Sequence, residues 1–186
     1  GGLWRSRLLS VIDLPGLRPS TDRIRETLFN WLGQDLSGLR CLDLFAGTGA
    51  LGFEAASRNA EVVVLLEKDK KAHANLVSNF SLLQSSPLGS KVEILHRDSL
   101  ELLKQQADHS VHLIFIDPPF QDATLFDRAV SEAGRICDDA KGGGIYVEFP
   151  ANRPREEVEA LLPGWHCGKY LEAGQVKACL FRSGRG

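Results

Sequence analysis

The sequence predicts a doubly wound α/β fold: a mostly parallel seven-stranded sheet that ends in an antiparallel hairpin. Two observations carry this reading. Short, continuous apolar runs alternate with helical patterns along the chain, and strands of that kind are the ones that helices bury on both faces. Four polar clusters, at 43–49, 67, 98 and 117–120, each follow such a run. They therefore share the carboxyl edge of the sheet, where open α/β folds bind ligands.

The elements follow in order. From residue 21 the spacing of Ile24, Leu28, Trp31 and Leu32 is helical, with Ser20 or Thr21 as N-cap and Gly33 near the end. Residues 39–45 form a strand that runs into Gly47-Thr48-Gly49 and then a helix over 52–56, the opening of a βαβ unit. A strand at 62–66 ends at Glu67, and Ala72, Leu76, Phe80 and Leu83 space the next helix. A strand at 92–95 ends near Asp98 and leads into a short helix at 100–103. The strand at 111–116 runs straight into Asp117-Pro118-Pro119-Phe120, and Leu125, Phe126, Ala129, Val130, Ala133 and Ile136 mark a long amphipathic helix. Gly142-Gly143-Gly144 turns into a strand at 145–149, and 155–162 reads as a helix. Strands at 165–171 and 176–181 are joined by Ala173-Gly174-Gln175, a link short enough to force a hairpin.

With 186 residues, 43% hydrophobic and 25% charged, the chain suits one globular domain and excludes disordered, collagen-like and small disulfide scaffolds. The expected organisation is a basic N-terminal arm at 1–20 and a catalytic core at 21–186. No run of about 18 apolar residues occurs and no secretory signal opens the chain, so a cytoplasmic protein with no membrane contact is expected. The absence of Met and the start at Gly1-Gly2 suggest that a short segment precedes the sequence. Cys41, Cys137, Cys167 and Cys179 form no CxxC pair and read as structural thiols. His109 and His112 would point to opposite faces of a strand entry, so no metal site is expected. The net charge of −2 is unevenly spread: 1–40 and 151–186 each carry +2, and 41–150 carries −6. By residue 25, Arg5, Arg7, Arg18, Arg23 and Arg25 face only Asp13 and Asp22. Such an arm can steer a phosphate backbone.

The chemistry lies in two loops. Gly47-Thr48-Gly49-Ala50-Leu51-Gly52 satisfies G-x-G-x-x-G, with Glu67 twenty residues after Gly47 where an acid would hold ribose hydroxyls. This fits any nucleoside-containing cofactor, so a nicotinamide-dependent oxidoreductase is a rival. Asp43, just before the glycines, would orient the loop or meet a cationic group and would repel a pyrophosphate. In Asp117-Pro118-Pro119-Phe120 the prolines fix the backbone and offer no N–H. The loop presents acceptors only: the Asp117 carboxylate and the Pro118 carbonyl can take both hydrogens of a planar ring-bound amine, with Phe120 stacked on the ring.

Asp43-Leu44-Phe45-Ala46-Gly47-Thr48-Gly49 resembles the cofactor loop of Rossmann-like S-adenosylmethionine-dependent methyltransferases, and Asp117-Pro118-Pro119-Phe120 their amino-methylating (D/N)PP(F/Y) loop. With Trp4-Arg5, the segment from Arg18 to Asn30 and the late Ala173-Gly174-Gln175, the whole chain resembles the RsmD family of bacterial 16S ribosomal RNA guanine-N2 methyltransferases. The resemblance implies that Gly47 and Gly49 pass close to the methionine part of S-adenosylmethionine, that Glu67 holds its ribose hydroxyls and that Asp98 with Ser99 lies against its adenine, with Asp43, Phe45, Ala46, Thr48, Lys68 and Asp117 also binding the cofactor. Asp117 and Pro118 would bind the amine, backed by Pro119 and Phe120. Arg5, Arg7, Arg18, Thr21 and Arg25 would guide RNA, with Arg18, Thr21, Asp22 and Arg25 alternatively closing over the cofactor. The implied partner is 16S ribosomal RNA within the small subunit or an assembly intermediate. Rivals on the same scaffold methylate adenine N6 in DNA or a protein glutamine, and a non-catalytic ribosome-assembly factor stands as a third class.

Overall fold

A computed structural model describes residues 19–83, 89–118 and 122–184. Its elements are α1 (Pro19–Leu32), β1 (Arg40–Asp43), α2 (Ala50–Ser57), β2 (Val62–Leu66), α3 (Lys70–Leu83), β3 (Lys91–Leu95), α4 (Ser99–Gln105), β4 (Leu113–Ile116), α5 (Ala123–Ile136), β5 (Gly144–Pro150), α6 (Arg155–Glu159), β6 (His166–Ala173) and β7 (Val176–Arg182).

The seven strands form one sheet in the order β3-β2-β1-β4-β5-β7-β6. The first five are parallel, and β7 runs antiparallel to both β5 and β6. The predicted hairpin is therefore present, with Ala173 paired to Val176 across Gly174-Gln175. Gly174 has φ 59, the left-handed conformation that a two-residue hairpin turn requires. Strand order reverses between β1 and β4, which opens a crevice at their carboxyl ends.

Helices α1, α2 and α3 cover one face of the sheet through Ile24, Leu28, Phe53, Ala56 and Leu76. Helices α4, α5 and α6 cover the other through Leu103, Phe126, Val130 and Val158. Burial on both faces is what the apolar strands anticipate: β4 (Leu-Ile-Phe-Ile) is buried throughout. Cys41, Cys137 and Cys179 are buried free thiols and Cys167 is half-buried. Burial pushes the Cys41 thiol up to about 12, the behaviour of a packing residue.

Several boundaries differ from the sequence reading, among them three with a plain local reason. Helix α1 begins at Pro19, so Ser20 and Thr21 lie in its first turn rather than at its cap; proline is well suited there because its missing N–H would have no partner. Strand β4 begins at Leu113 because Val111 makes only an isolated bridge to Cys137. Helix α6 stops at Glu159, short of 162. No described helix is long and apolar enough to cross a membrane.

Candidate active site

The carboxyl ends of β1, β2, β3 and β4 bring together what the sequence suggested. A cleft of about 530 Å³ is lined by Leu44, Phe45, Gly47, Glu67, Lys68, Asp98, Ser99 and Asp117, among others. A smaller compartment of about 200 Å³, also lined by Phe45, Gly47 and Asp117, adds Arg25, Asp43, Ala46, Thr48 and Glu148.

The glycine loop is held from two sides. Gly49 takes φ 87 at the cap of α2. A Cβ there would stand 2.2 Å from the Phe53 ring, so only glycine fits. Asp43 Oδ2 accepts the Gly52 amide at 3.1 Å in a buried setting. This carboxylate fills the N-terminal end of α2, the place where dinucleotide folds put a pyrophosphate. Of the two roles considered for Asp43, the hydrogen bonds place it as the loop's organiser. Burial raises its carboxyl to about 7, partly offset by the amides of Gly52 and Phe45.

Glu67 bridges the loop and the next turn. Its Oε1 accepts the Gly47 amide at 3.3 Å and its Oε2 the Asp69 amide at 3.0 Å. Asp98 caps α4, accepting the Glu101 amide at 3.1 Å, and its second oxygen is 3.7 Å from Lys68 Nζ. Helix capping and cleft lining are thus the same residue's work. Ser99 lines the cleft beside Asp98, and its hydroxyl donates to the Leu44 carbonyl at 2.7 Å, tying α4 to the chain just past β1.

Asp117 opens onto both compartments. Burial holds its carboxyl well above the usual carboxylate range, reinforced by Glu148 and then Asp43. Pro118, the next residue, is buried. Pro119 and Phe120 lie outside the described residues, as do Arg5, Arg7 and Arg18, and the Thr21 side chain. Arg25 is placed by α1 over the carboxyl cluster. Its Nη1 lies 3.6 Å from Asp22 Oδ1, yet that buried nitrogen makes no hydrogen bond.

The topology separates two of the fold's uses, because dinucleotide-binding sheets run 3-2-1-4-5-6 whereas here a reversed strand enters between β5 and β6. The family model described as Conserved hypothetical protein 95 matches residues 1–182. The Escherichia coli (strain K12) protein named Ribosomal RNA small subunit methyltransferase D is 38% identical over 188 residues, covering 98% of this chain and 87% of that one. The chain belongs to the RsmD family. The Haemophilus influenzae protein of the same name is 41% identical over 157 residues, covering 82% and 78%. Among solved structures, Escherichia coli yhhF superposes with a TM-score of 0.73 at 33% identity, covering 91% of this chain and 89% of that one.

Within this RsmD-family site, sequence reasoning missed Glu148 and Tyr146. The Tyr146 hydroxyl donates to Glu148 Oε1 at 2.5 Å, and Glu148 lines the smaller compartment with Asp117, whose carboxyl it helps to raise. The available clue was a lone acid in an otherwise apolar strand, Gly-Ile-Tyr-Val-Glu-Phe-Pro; buried acids are rare unless partnered.

Proposed function

We propose that this RsmD-family methyltransferase transfers a methyl group from S-adenosylmethionine to the exocyclic N2 amine of a guanine in small-subunit ribosomal RNA, the substrate being the subunit or an assembly intermediate. The observation that carries the reading is the position of Asp117 at the switch point, one carboxylate shared by a cofactor-sized cleft and a second compartment.

The described residues fit this donor. The unsatisfied Arg25 Nη1 supplies a cation for an amino-acid carboxylate, and Asp117 and Glu148, in the same compartment, supply acids to face a sulfonium. Glu67 would hold the ribose, and Lys68 and Asp98 the far end of the cleft. The bound donor supplies an electrophilic methyl group. Asp117 and the Pro118 carbonyl accept the amine's two hydrogens, which favours a pyramidal nitrogen with its lone pair free. Asp117 then stabilises the positive charge growing on that nitrogen, and alignment supplies most of the acceleration. Leaving the base stack costs a few kcal/mol. The 1–20 arm contacts RNA, and 1–186 acts as a single methyltransferase domain.

The test is incubation with methyl-labelled S-adenosylmethionine and small subunits from cells lacking the enzyme, followed by nucleoside digestion and mass spectrometry. N2-methylguanosine is expected. Its absence from confirmed unmodified subunits, with cofactor binding intact, would overturn the assignment in favour of another amine.

A further inference from the structure

The glycine loop is a partition. Gly47 and Thr48 line the smaller compartment, with Arg25 and Asp117, and on their other side a separate compartment of about 400 Å³ walled by Ala72, Asn75, Ser78 and Asn79 of α3. Gly47 and Gly49 both hold left-handed backbone, with φ 57 and φ 87. Glycine reaches that region freely, and for the same reason it does little to fix the peptides beside it. Hydrogen bonds must therefore hold the loop. The Gly47 amide donates to Glu67 Oε1 at 3.3 Å and the Gly49 amide to the Ala46 carbonyl at 2.8 Å. The carbonyl of the Thr48–Gly49 peptide is held from outside the loop, where Asn79 Nδ2 donates to it at 3.3 Å. The neighbours of Asn79 on its helix face are apolar. Leu76 Cδ2 would lie 2.9 Å from a Cβ on Gly49, and the Phe80 ring stacks on Phe53 at 5.9 Å between centres. Asparagine is a poorer helix former than leucine or alanine, so a third apolar side chain would serve α3 better and packing does not explain Asn79.

We propose that Asn79 is a positioning residue for the methyl donor: it holds the Thr48 carbonyl on the α3 side of the glycine loop and so keeps that oxygen out of the smaller compartment. The inference rests on the reading above, which places the donor's amino-acid carboxylate in that compartment beside Arg25. A Thr48–Gly49 peptide turned over would aim its carbonyl oxygen at the carboxylate, and two acceptors facing each other in a partly enclosed site repel. The same turn would take the Gly49 amide away from Ala46. Asn79 lines the compartment behind the loop and neither of the two in front of it. It therefore acts on the donor through Thr48 and not by contact.

Asn79→Leu keeps the size of the side chain, removes the donor and suits a helix better; Asn79→Asp puts an acceptor against the carbonyl. Hydrogen exchange of the Gly49 amide is followed by NMR in the ligand-free protein, affinity for S-adenosylhomocysteine and 5′-methylthioadenosine by calorimetry, and stability by the urea midpoint. In Asn79→Leu the Gly49 amide should exchange about fivefold faster or more, and S-adenosylhomocysteine affinity should fall by a similar factor, the worth of one neutral hydrogen bond. Affinity for 5′-methylthioadenosine, which lacks the amino-acid carboxylate, should change less than about twofold, and the unfolding midpoint should not fall. Asn79→Asp should weaken S-adenosylhomocysteine further, by about tenfold or more. An unchanged Gly49 exchange rate in Asn79→Leu would overturn the clamp. So would S-adenosylhomocysteine affinity within about twofold of wild type in both variants. A loss of affinity that came with a lowered unfolding midpoint would overturn it as well, since Asn79 would then be a packing residue. Faster exchange with equal losses for the two ligands at an unchanged midpoint would keep the clamp and overturn the placement of the amino-acid end instead.

Discussion

Asp117 and Arg25 line one compartment, the first offering an acceptor and the second a cation, so their replacement should separate transfer from binding. Asp117→Ala is expected to lower methyl transfer about a hundredfold or more while S-adenosylhomocysteine affinity stays within about threefold. Arg25→Ala should weaken S-adenosylhomocysteine about tenfold or more, yet change 5′-methylthioadenosine, which lacks the amino-acid carboxylate, less than about twofold. Calorimetry with both ligands checks the pair, and equal losses for the two ligands would remove Arg25 from the carboxylate. Asp117 is legible in the sequence because two prolines mark a rigid acceptor loop at a strand end. Glu148 is not, because its meaning depends on the register of β5 against β4. Ser99 carries a second task that the sequence does not show: it lines the cleft next to Asp98 while its hydroxyl donates to the Leu44 carbonyl.

Helices α1 and α2 determine whether the cleft has walls. Arg58 joins them: its guanidinium pairs with Glu54 at 3.0 Å, donates to the Gly33 carbonyl at 2.8 Å and lies 4.9 Å from the centre of the Phe29 ring. Both partners of the ion pair are nearly inaccessible to water. Arg58→Ala should therefore cost about 3–5 kcal/mol in urea unfolding, mostly from leaving Glu54 buried without its cation. At the other end of α2, Gly49→Ala meets both a left-handed backbone and the Phe53 ring. It is expected to cost about 2–4 kcal/mol and to abolish S-adenosylhomocysteine binding. The existence and order of the elements could be read from periodicity alone. Their ends could not, because competing local partners set them, as Cys137 does for Val111.

Across the whole molecule, acidic groups gather at the switch point, and this predicts a pH dependence of stability. Asp43 is raised to about 7 from an unfolded value near 4. Between those values the folded chain holds a proton that the unfolded chain has lost, so stability is fullest at the acid end of that range and falls as pH rises through about 7. Its contribution to the slope approaches about 1.4 kcal/mol per pH unit. Urea unfolding from pH 5 to 8 should show the decline, and Asp43→Asn should flatten it; an unchanged slope would mean that Asp43 does not titrate in this range. By itself the sequence determined the α/β alternation, the hairpin, the glycine and proline loops and their family, because these rest on short-range periodicity and on residues with restricted backbones. Tertiary structure alone decided that Asp43 fills the end of α2, that Ser99 bonds the Leu44 carbonyl and that Glu148 shares a compartment with Asp117. Each of those depends on which strands become neighbours and in what register, and a linear sequence does not carry that distance.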